Sequence, residues 1–330
     1  MYPLKFEPFL RTMVWGGEKI APFKGIKTSQ EKIGESWEIS GVEGHVSIIT
    51  NGPLKGRSLQ EVIHEYGAEL VGSKVRQKFG DEFPLLIKFI DAKEDLSIQV
   101  HPNDELAAKT HPGMLGKTEM WYVIGADEGA ALLSGLTKEI TPDEYEERVR
   151  NHTITDVLAR HEIKPGNVFY LPAGRIHAIC KGAFVAEIQE TSDLTYRIYD
   201  YGRLGLDGKP RELHIEQAKE AIDYKVYPSY ETKYSETINA ETPLVKCSYF
   251  TTNLYDLDEG FEKDLSSLDC FLIVICVKGS GKIIDIEADG SIHEELVRQG
   301  QTVLIPASSN RLRLEPDKGV RMTCLGSFTE

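Results

Sequence analysis

The sequence predicts a mainly β fold with a few helical additions, built as two related halves. Short runs rich in β-branched and aromatic residues recur along the chain, separated by glycine and proline, which is typical of sandwiches and barrels. Helical periodicity is confined to a few stretches, and one strand–turn motif occurs twice. The predicted strands lie in FPLLIKFI, EMWYVIG, NVFYLPAG, FVAEIQE, FLIVICVKGSGKIIDI, QTVLIPAS and VRMTCLG.

Three segments carry the helical pattern. The clearest begins at Ser58, where S-L-Q-E forms a capping box with Glu61. A second begins at Thr141, with Pro142 at the first helical position, and a third covers about residues 213–224. The apolar face of the first is formed by Leu59, Val62, Ile63, Tyr66, Leu70 and Val71.

The repeated motif suggests two copies of one β fold. The first copy, G-NVFYL-P-A-G-RI-H, begins at Gly166, and the second, G-QTVLI-P-A-S-SN-R, begins at Gly300. In the second copy Ser308 replaces the turn glycine, and Arg311 stands where the first has His177. Only the first copy therefore keeps a histidine that could bind a metal.

Length and composition favour two domains. A chain of 330 residues is about twice the length of a typical domain. The polar, turn-rich segment 227–243 is the natural linker. We therefore expect a metal-binding catalytic domain with helical segments over residues 1–230 and a second, metal-free domain over 231–330.

The charge balance limits the classes of partner that the protein is expected to bind. Lys and Arg total 38 against 52 Asp and Glu, a net charge of −14, which argues against nucleic acid or an anionic membrane as a partner. The longest apolar run, 270–277, is too short to span a bilayer. Lys5, Glu7 and Arg11 interrupt what would be the apolar region of a signal peptide, so a cytoplasmic location is expected. The five cysteines form no CxxC pair, which indicates reduced, mostly buried thiols.

Four polar residues suggest a metal site. The pattern G-x5-P-x-G-x2-H that ends at His177 resembles the second conserved motif of the cupin superfamily, whose jelly-roll barrels commonly hold a metal. Gln99 and His101 are two positions apart on a predicted strand and so share a face, and Glu119 begins the next apolar strand. Nitrogen and oxygen donors without thiolates favour zinc, with manganese, iron or cobalt also possible.

Longer segments carry a narrower resemblance. Over roughly the first 225 residues the chain is similar to the type I phosphomannose isomerases. The matching segments are VWGG (14–17), GESWEIS (34–40), FPLLIKFIDAKEDLSIQVHPND (83–104), GKTEMWYVIG (116–125), LPAGRIHAI (171–179), ETSDLTYRIYDYGR (190–203) and RELHIEQAKEAID (211–223). The last hundred residues resemble the second, metal-free cupin of the short bacterial forms.

The resemblance implies a fold, a reaction and a set of site residues. The fold would be two cupin-type jelly-roll β-barrels with a few α-helices. The zinc ligands would be Gln99, His101, Glu119 and His177, the catalytic groups Arg197, Glu187 and Lys117, and the phosphate-binding groups Lys88, Ser97 and Arg203. One departure is Lys117-Thr118-Glu119, where the family commonly has lysine-proline-glutamate.

The implied reaction is the interconversion of mannose 6-phosphate and fructose 6-phosphate through an enediolate. It requires a base to move a proton between C2 and C1, and positive charge to stabilise the enediolate. Arg197 would supply charge, and Glu187 is the leading candidate for the base, with orientation of a metal ligand as its alternative role. Surface salt bridging is the alternative role for Lys88, Lys117 and Arg203.

Other functions stay open at the level of sequence. Another metal cupin could isomerise a different sugar phosphate or act as an oxygenase, and a non-catalytic cupin could only bind a sugar phosphate. The sequence does not distinguish a monomer from a homodimer. The second half is expected to cover an exposed sheet of the first.

Overall fold

The computed structural model describes residues 1–329 and confirms a mainly β protein with short helices. The strands, in chain order, are β1 (Leu4–Lys5), β2 (Phe9–Gly17), β3 (Ile33–Ile39), β4 (Leu85–Asp91), β5 (Ile98–Val100), β6 (Glu119–Ala126), β7 (Ala131–Leu136), β8 (Leu158–Glu162), β9 (Val168–Leu171), β10 (His177–Ile179), β11 (Ala183–Glu190), β12 (Tyr196–Tyr199), β13 (Glu231–Thr232), β14 (Glu241–Lys246), β15 (Thr251–Leu257), β16 (Phe261–Asp264), β17 (Leu272–Lys278), β18 (Ser280–Glu287), β19 (Ile292–Arg298), β20 (Gln301–Ile305), β21 (Ser309–Pro316) and β22 (Met322–Phe328). The helices are α1 (Ile20–Lys24), α2 (Leu59–Tyr66), α3 (Ala68–Val71), α4 (Ser73–Phe79), α5 (Asp104–Thr110), α6 (Pro142–Arg150) and α7 (Ile215–Ala221), with one 3-10 turn at Ile154–Val157.

Each half is a pair of antiparallel sheets. In the first half, a seven-stranded sheet of order β13-β9-β6-β11-β4-β3-β2 packs against a five-stranded sheet of order β12-β5-β10-β7-β8. In the second half, a six-stranded sheet of order β1-β20-β17-β22-β15-β14 packs against a four-stranded sheet of order β16-β21-β18-β19. Within residues 1–329, hydrogen bonds close neither pair of sheets into a continuous barrel.

The sheet orders support the internal repeat. The run β9-β6-β11-β4-β3 in the first half corresponds to β20-β17-β22-β15-β14 in the second, and β5-β10-β7-β8 corresponds to β16-β21-β18-β19. Gly166 and Gly300, which open the two motif copies, both have a positive φ, at 90° and 80°. In the second half, Arg311 lies on β21 and its side chain is exposed. The second copy therefore turns an arginine to solvent where the first copy has a buried histidine.

The three predicted helices are present, with two differences in extent. The third, predicted over about residues 213–224, is limited to Ile215–Ala221. Glu61 N–H donates to Ser58 Oγ at 3.2 Å and Ser58 N–H donates to Glu61 Oε2 at 2.7 Å, so the predicted capping box is present. Helix α6 begins at Pro142 as predicted. The predicted apolar face over 59–71 is interrupted at Gly67. This residue has a φ of 52° and a ψ of −121°, so it ends α2, and α3 begins at the next residue. None of the helices within residues 1–329 has both the length and the apolar character needed to cross a bilayer.

At both ends of the first half, the sheets do not follow the predicted domain boundary. Strand β1 pairs with β20, with Leu4 opposite Leu304, so the first residues of the chain complete the larger sheet of the second half. Strand β13 pairs with β9 and so belongs to a sheet of the first half. The division into 1–230 and 231–330 stays a prediction, and any such division leaves β1 across the boundary.

A buried ion pair lies where the halves meet. Lys24 Nζ donates to both carboxylate oxygens of Glu38 at 2.6 Å and to the carbonyl oxygen of Gly300 at 2.7 Å. Ser36 Oγ donates to Glu38 at 2.6 Å. Because every charged atom has partners, the desolvation of this pair is offset by good geometry. The cluster ties α1 and β3 to the turn that precedes β20.

A second buried carboxyl group lies at the end of β11. Glu190 is 5% exposed, and Thr118 N–H donates to its Oε2 at 2.6 Å. Burial raises the pKa of Glu190 to about 7. Between its usual value of 4.5 and about 7, this group binds more protons in the folded chain than in the unfolded chain, so its contribution to stability becomes unfavourable as pH rises through that range.

Replacing Glu190 by glutamine is therefore expected to stabilise the protein at pH 8 by about 3 kcal/mol, because the amide oxygen still accepts from Thr118 and no charge is buried. The gain should shrink as pH falls and vanish below about pH 4.5. Urea denaturation at a series of pH values measures it. Glu128→Gln, at an exposed glutamate, is the matched control. A gain that is constant with pH would contradict the assignment.

Candidate active site

Register places three polar side chains in one row across the five-stranded sheet. His177 on β10 lies opposite Gln99 on β5, and Gln99 lies opposite Arg197 on β12. Directly opposed residues in a sheet point to the same face, and neighbouring strands are about 4.8 Å apart. Arg197 therefore lies two strands, or about 10 Å, from His177 on the same face.

A second row crosses the facing sheet. Trp121 on β6, Glu187 on β11 and Lys88 on β4 are directly opposed. Glu119 is two residues before Trp121 on β6 and so shares its face. The Trp121 ring meets the His177 ring edge-on, with centroids 5.3 Å apart, so the two rows face each other across the interior of the first half.

Three of the four predicted metal ligands converge at this point. His101 Nε2 lies 3.4 Å from Glu119 Oε2, and His177 Nε2 lies 3.3 Å from Glu119 Oε1. One potential ligand atom from each residue lies within 4.8 Å of the other two, and all three side chains are buried. Gln99 is the fourth, with its amide nitrogen 3.4 Å from His177 Nε2, and a half-turn of the amide presents its oxygen instead.

The hydrogen bonds of the two histidines keep both imidazole rings neutral, with their lone pairs directed into the cluster. The Nδ1 atoms of His101 and His177 lie 3.1 Å and 2.7 Å from the carbonyl oxygens of Leu194 and Arg175, so each Nδ1 carries the proton and donates it. Each Nε2 then presents a lone pair. Burial lowers the pKa of His101 to about 3, so a second proton does not reside on that ring.

An ion fits this donor set. Within residues 1–329, His101 Nε2 and both carboxylate oxygens of Glu119 are buried without a hydrogen-bond partner. Electron-rich atoms in such positions are costly unless a cation lies between them. Two imidazoles, a carboxylate and an amide oxygen suit a divalent metal of intermediate softness.

Lys117 lies beside the cluster. Its Nζ is 3.4 Å from Glu119 Oε2, and its side chain is buried. Burial alone would raise the pKa of Glu119, but Lys117 and the two histidines lower it well below its usual value. Glu119 is therefore ionised throughout the physiological pH range.

Glu187 is held at both oxygens. Lys88 Nζ donates to Oε1 at 3.0 Å, and Trp121 Nε1 donates to Oε2 at 2.8 Å. Lys88 Nζ also donates to Gln189 Oε1 at 2.7 Å. Burial lowers the pKa of Lys88, but the carboxylates of Glu187 and Glu35 raise it above its usual value overall. Lys88 thus stays charged, and Glu187 has a fixed orientation.

A pocket of about 230 Å³ brings most of the predicted residues together. Its lining includes six predicted residues: Lys88, Ser97, Gln99, Lys117, Glu187 and Arg197. It also includes polar residues that the sequence did not single out as site residues: Arg11, Glu35, Asp193, Thr195, Arg211 and His214. The metal cluster lies against Gln99 and Lys117 at the inner end of this pocket.

Four of the ten predicted residues do not line this pocket: the three of the metal cluster, which lie at its inner end, and Arg203. Its Nε donates to Asp200 Oδ1 at 2.9 Å, and its Nη1 donates to the carbonyl oxygen of Asp95 at 2.5 Å. Arg211 lines the pocket instead. Arg211 and His214 lie just before α7, which begins at Ile215, whereas the sequence predicted a helix from about residue 213, so no sequence signal marked them as site residues.

A larger cleft lies elsewhere. It measures about 700 Å³ and is lined by residues of both halves, among them Tyr122, Tyr234, Asp256 and Arg321. None of the predicted site residues lines it. Size alone would therefore select the wrong cavity, whereas the metal-ligand geometry selects the smaller one.

Comparisons with known proteins agree with the geometry. The family model for the type I phosphomannose isomerase catalytic domain matches residues 4–124. The mannose-6-phosphate isomerase ManA of Bacillus subtilis is 36% identical over 315 residues, which cover 95% of this chain and 96% of that protein. The mannose-6-phosphate isomerase of Streptococcus mutans is 31% identical over 320 residues, 96% of each chain.

Solved structures extend the likeness to the whole fold. The crystal structure of the mannose 6-phosphate isomerase from Bacillus subtilis aligns with a TM-score of 0.87 and 34% identity over 99% of both chains. A phosphomannose isomerase variant from Salmonella typhimurium aligns with a TM-score of 0.76 at 16% identity, which shows a shared fold alone. The two relatives that are more than 30% identical over nearly their full length show the family of this chain as well as its fold. The chain belongs to the type I mannose-6-phosphate isomerase family.

Proposed function

We propose that this chain interconverts mannose 6-phosphate and fructose 6-phosphate in a metal-dependent aldose–ketose isomerisation. The observation that carries the proposal is the convergence of His101, Glu119 and His177 at the inner end of a pocket whose walls hold basic side chains. Its partner is a small-molecule sugar phosphate, as the names of its relatives imply for those proteins. A dianionic substrate needs such a focused basic site in a chain of net charge −14.

We propose zinc as the metal, held by Gln99, His101, Glu119 and His177. The set contains no thiolate, and two imidazoles with a carboxylate are a common catalytic zinc environment. When bound, the ion supplies Lewis-acid polarisation of the sugar carbonyl. Manganese, iron and cobalt suit the same donors and are the alternatives to test.

Arg197 is proposed to stabilise the negative charge of the enediolate. It lies in the same row as His177 and Gln99, and its Nη1 donates to the carbonyl oxygen of Glu212 at 2.8 Å, which fixes the guanidinium. Burial and the neighbouring Arg211 lower the pKa of Arg197, but an arginine stays protonated near neutral pH. It therefore acts as a fixed positive charge and not as the base.

Glu187 is proposed to move the proton between C2 and C1. It lines the pocket, and its two hydrogen bonds to Lys88 and Trp121 hold the carboxylate in one orientation. A preorganised carboxylate takes a proton from C2 and returns it to C1 without net change in the enzyme. Its alternative role is to orient Trp121, which packs against the ligand His177. Lys117 is proposed to add charge beside Glu119.

The phosphate is proposed to lie near Ser97 and Lys88, on opposite sheets of the pocket. Ser97 Oγ accepts from Arg197 Nε at 3.3 Å, so the hydroxyl proton is available to an anion. Arg203 is proposed to brace the turn after β12 and not to contact the phosphate, because it does not line the pocket and its Nε and Nη1 donate to Asp200 and to the carbonyl oxygen of Asp95.

Three further assignments are proposals from the sequence. The domain of residues 1–230 would hold the site, and the domain of residues 231–330 would cover its larger sheet. We also propose a cytoplasmic location. The proposal is the same for a monomer and a homodimer.

Removal of the metal is expected to abolish isomerisation, because the buried lone pairs of the cluster then have no cation and the carbonyl is not polarised. Turnover of mannose 6-phosphate, followed as fructose 6-phosphate, should be lost after chelation and return with zinc. Supplying manganese, iron or cobalt in place of zinc tests the choice of ion. A folded, zinc-loaded protein without turnover would overturn the proposed function.

The cluster itself is tested by His101→Ala, which is expected to lower bound metal more than tenfold because one of two imidazole ligands is lost. His111→Ala is the matched control, because His111 is only partly buried and lies outside the cluster. Metal content is measured by elemental analysis of the purified variants. Equal metal content in both would show that the ion binds elsewhere.

Arg197→Ala and Glu187→Gln are expected to reduce kcat by about 10²–10⁴-fold, because each removes a group proposed to act on the reacting carbons. Metal content should remain that of the wild type. Metal content distinguishes the two possible roles of Glu187. If Glu187→Gln loses metal along with activity, the residue orients the site and the base is another group.

A further inference from the structure

One end of the pocket holds an unusual concentration of positive charge. Arg203 and Arg211 both donate to one buried carboxylate, Asp200, which is 5% exposed, and Arg197 lies close enough to feel the charges of all three. The other nearby carboxylate, Glu212, is largely exposed. In a chain of net charge −14, three guanidinium groups around one buried carboxylate create a local positive field that favours an anion.

We propose that Arg211, positioned by Asp200, binds the phosphate group of the substrate, a role that the sequence assigned to Arg203. This inference rests on the proposed function, since it assumes a sugar phosphate with its reacting carbons at the metal cluster. Arg211 lines the pocket, and Arg203 does not.

The hydrogen bonds of Arg211 leave one edge of its guanidinium available. Nε donates to Asp200 Oδ2 at 2.7 Å and Nη2 donates to Asp200 Oδ1 at 2.5 Å, a two-point contact that fixes the plane of the group. Within residues 1–329, Nη1 has no hydrogen-bond partner in the structure. A fixed guanidinium with a free edge facing a pocket is suited to an oxyanion.

Arg203 shares Asp200 but faces another way. Its Nε and Nη1 are used by Asp200 and by the carbonyl oxygen of Asp95, and its guanidinium lies 5.7 Å from the Tyr201 ring centroid. Both arginines donate to Asp200, but they have different surroundings. Arg211 lines the pocket, whereas Arg203 braces the turn after β12.

The neighbours of Arg211 complete an anion site. Arg197 lies close enough that Arg211 lowers its pKa, a repulsion that a bound anion would relieve. His214 Nδ1 accepts from the backbone N–H of Arg197 at 3.2 Å, so in the neutral ring the proton lies on Nε2 and can be donated. Ser97 provides a hydroxyl at the same end of the pocket.

The spacing suits one substrate molecule. Strand spacing puts the backbone of Arg197 about 10 Å from that of His177, so the long Arg197 side chain can reach the reacting carbons from the end of the row. Arg211 lies close enough to Arg197 to lower its pKa, so a sugar phosphate with its phosphate at Arg211 would pass Arg197 on the way to the metal cluster. A phosphate at Arg211 would leave the other end of the sugar at the metal cluster.

The test compares Arg211→Gln with Arg203→Gln, because each variant removes one guanidinium partner of Asp200. In zinc-loaded protein we expect Arg211→Gln to weaken the binding of inorganic phosphate at least tenfold by titration calorimetry, and to raise the KM for mannose 6-phosphate similarly with kcat within about threefold. Arg203→Gln should change both constants less than threefold, while the two variants lose similar thermal stability. Arg211→Lys should recover part of the affinity.

Three outcomes would overturn the assignment: equal or greater loss in Arg203→Gln, unchanged phosphate affinity in Arg211→Gln, or no phosphate binding by the wild type. If Arg211→Gln does not fold, Arg211→Lys against Arg203→Lys makes the same comparison. A wild type that binds phosphate but does not isomerise the sugar would refute the proposed function and leave the role of Arg211 to be decided by the calorimetry.

Discussion

The convergence of three buried side chains that each present a lone pair constrains the rest of the site. His101, Glu119 and His177 each present electron density toward one point, and the backbone carbonyls behind the imidazoles keep both rings in that orientation. Such an arrangement is costly without a cation, so the surrounding strands must be rigid enough to hold it. Two sheets that face each other provide that rigidity, because Glu119 on β6 and His177 on β10 are fixed by strand register and His101 directly follows β5.

Around this point, the charged groups of the pocket are arranged as fixed partners. Glu187 is held between Lys88 and Trp121, and Asp200 holds Arg211. Oriented charges of this kind need little reorganisation when a substrate becomes negatively charged during reaction. They also explain how a strongly acidic chain can accept an anionic ligand, since the attraction is local and the overall repulsion is screened by salt.

Much of this was accessible from the sequence, because strand geometry is periodic. Gln99 and His101 were expected to share a face from their spacing of two, and the repeated motif correctly implied a second half of like topology without a buried histidine. The roles of Arg203 and Arg211 were not accessible, since they depend on the path of an irregular segment and on which guanidinium faces the pocket. The break at Gly67 was missed because an apolar face can continue through a change of chain direction.

The pairing of β1 with β20 has a consequence for how the protein is made. Leu4 is translated long before its partner Leu304. Until residues 301–305 have been made, this fully buried leucine has no native strand beside it. A nascent chain stalled before residue 301 would therefore leave β1 unpaired and open to chaperones or aggregation.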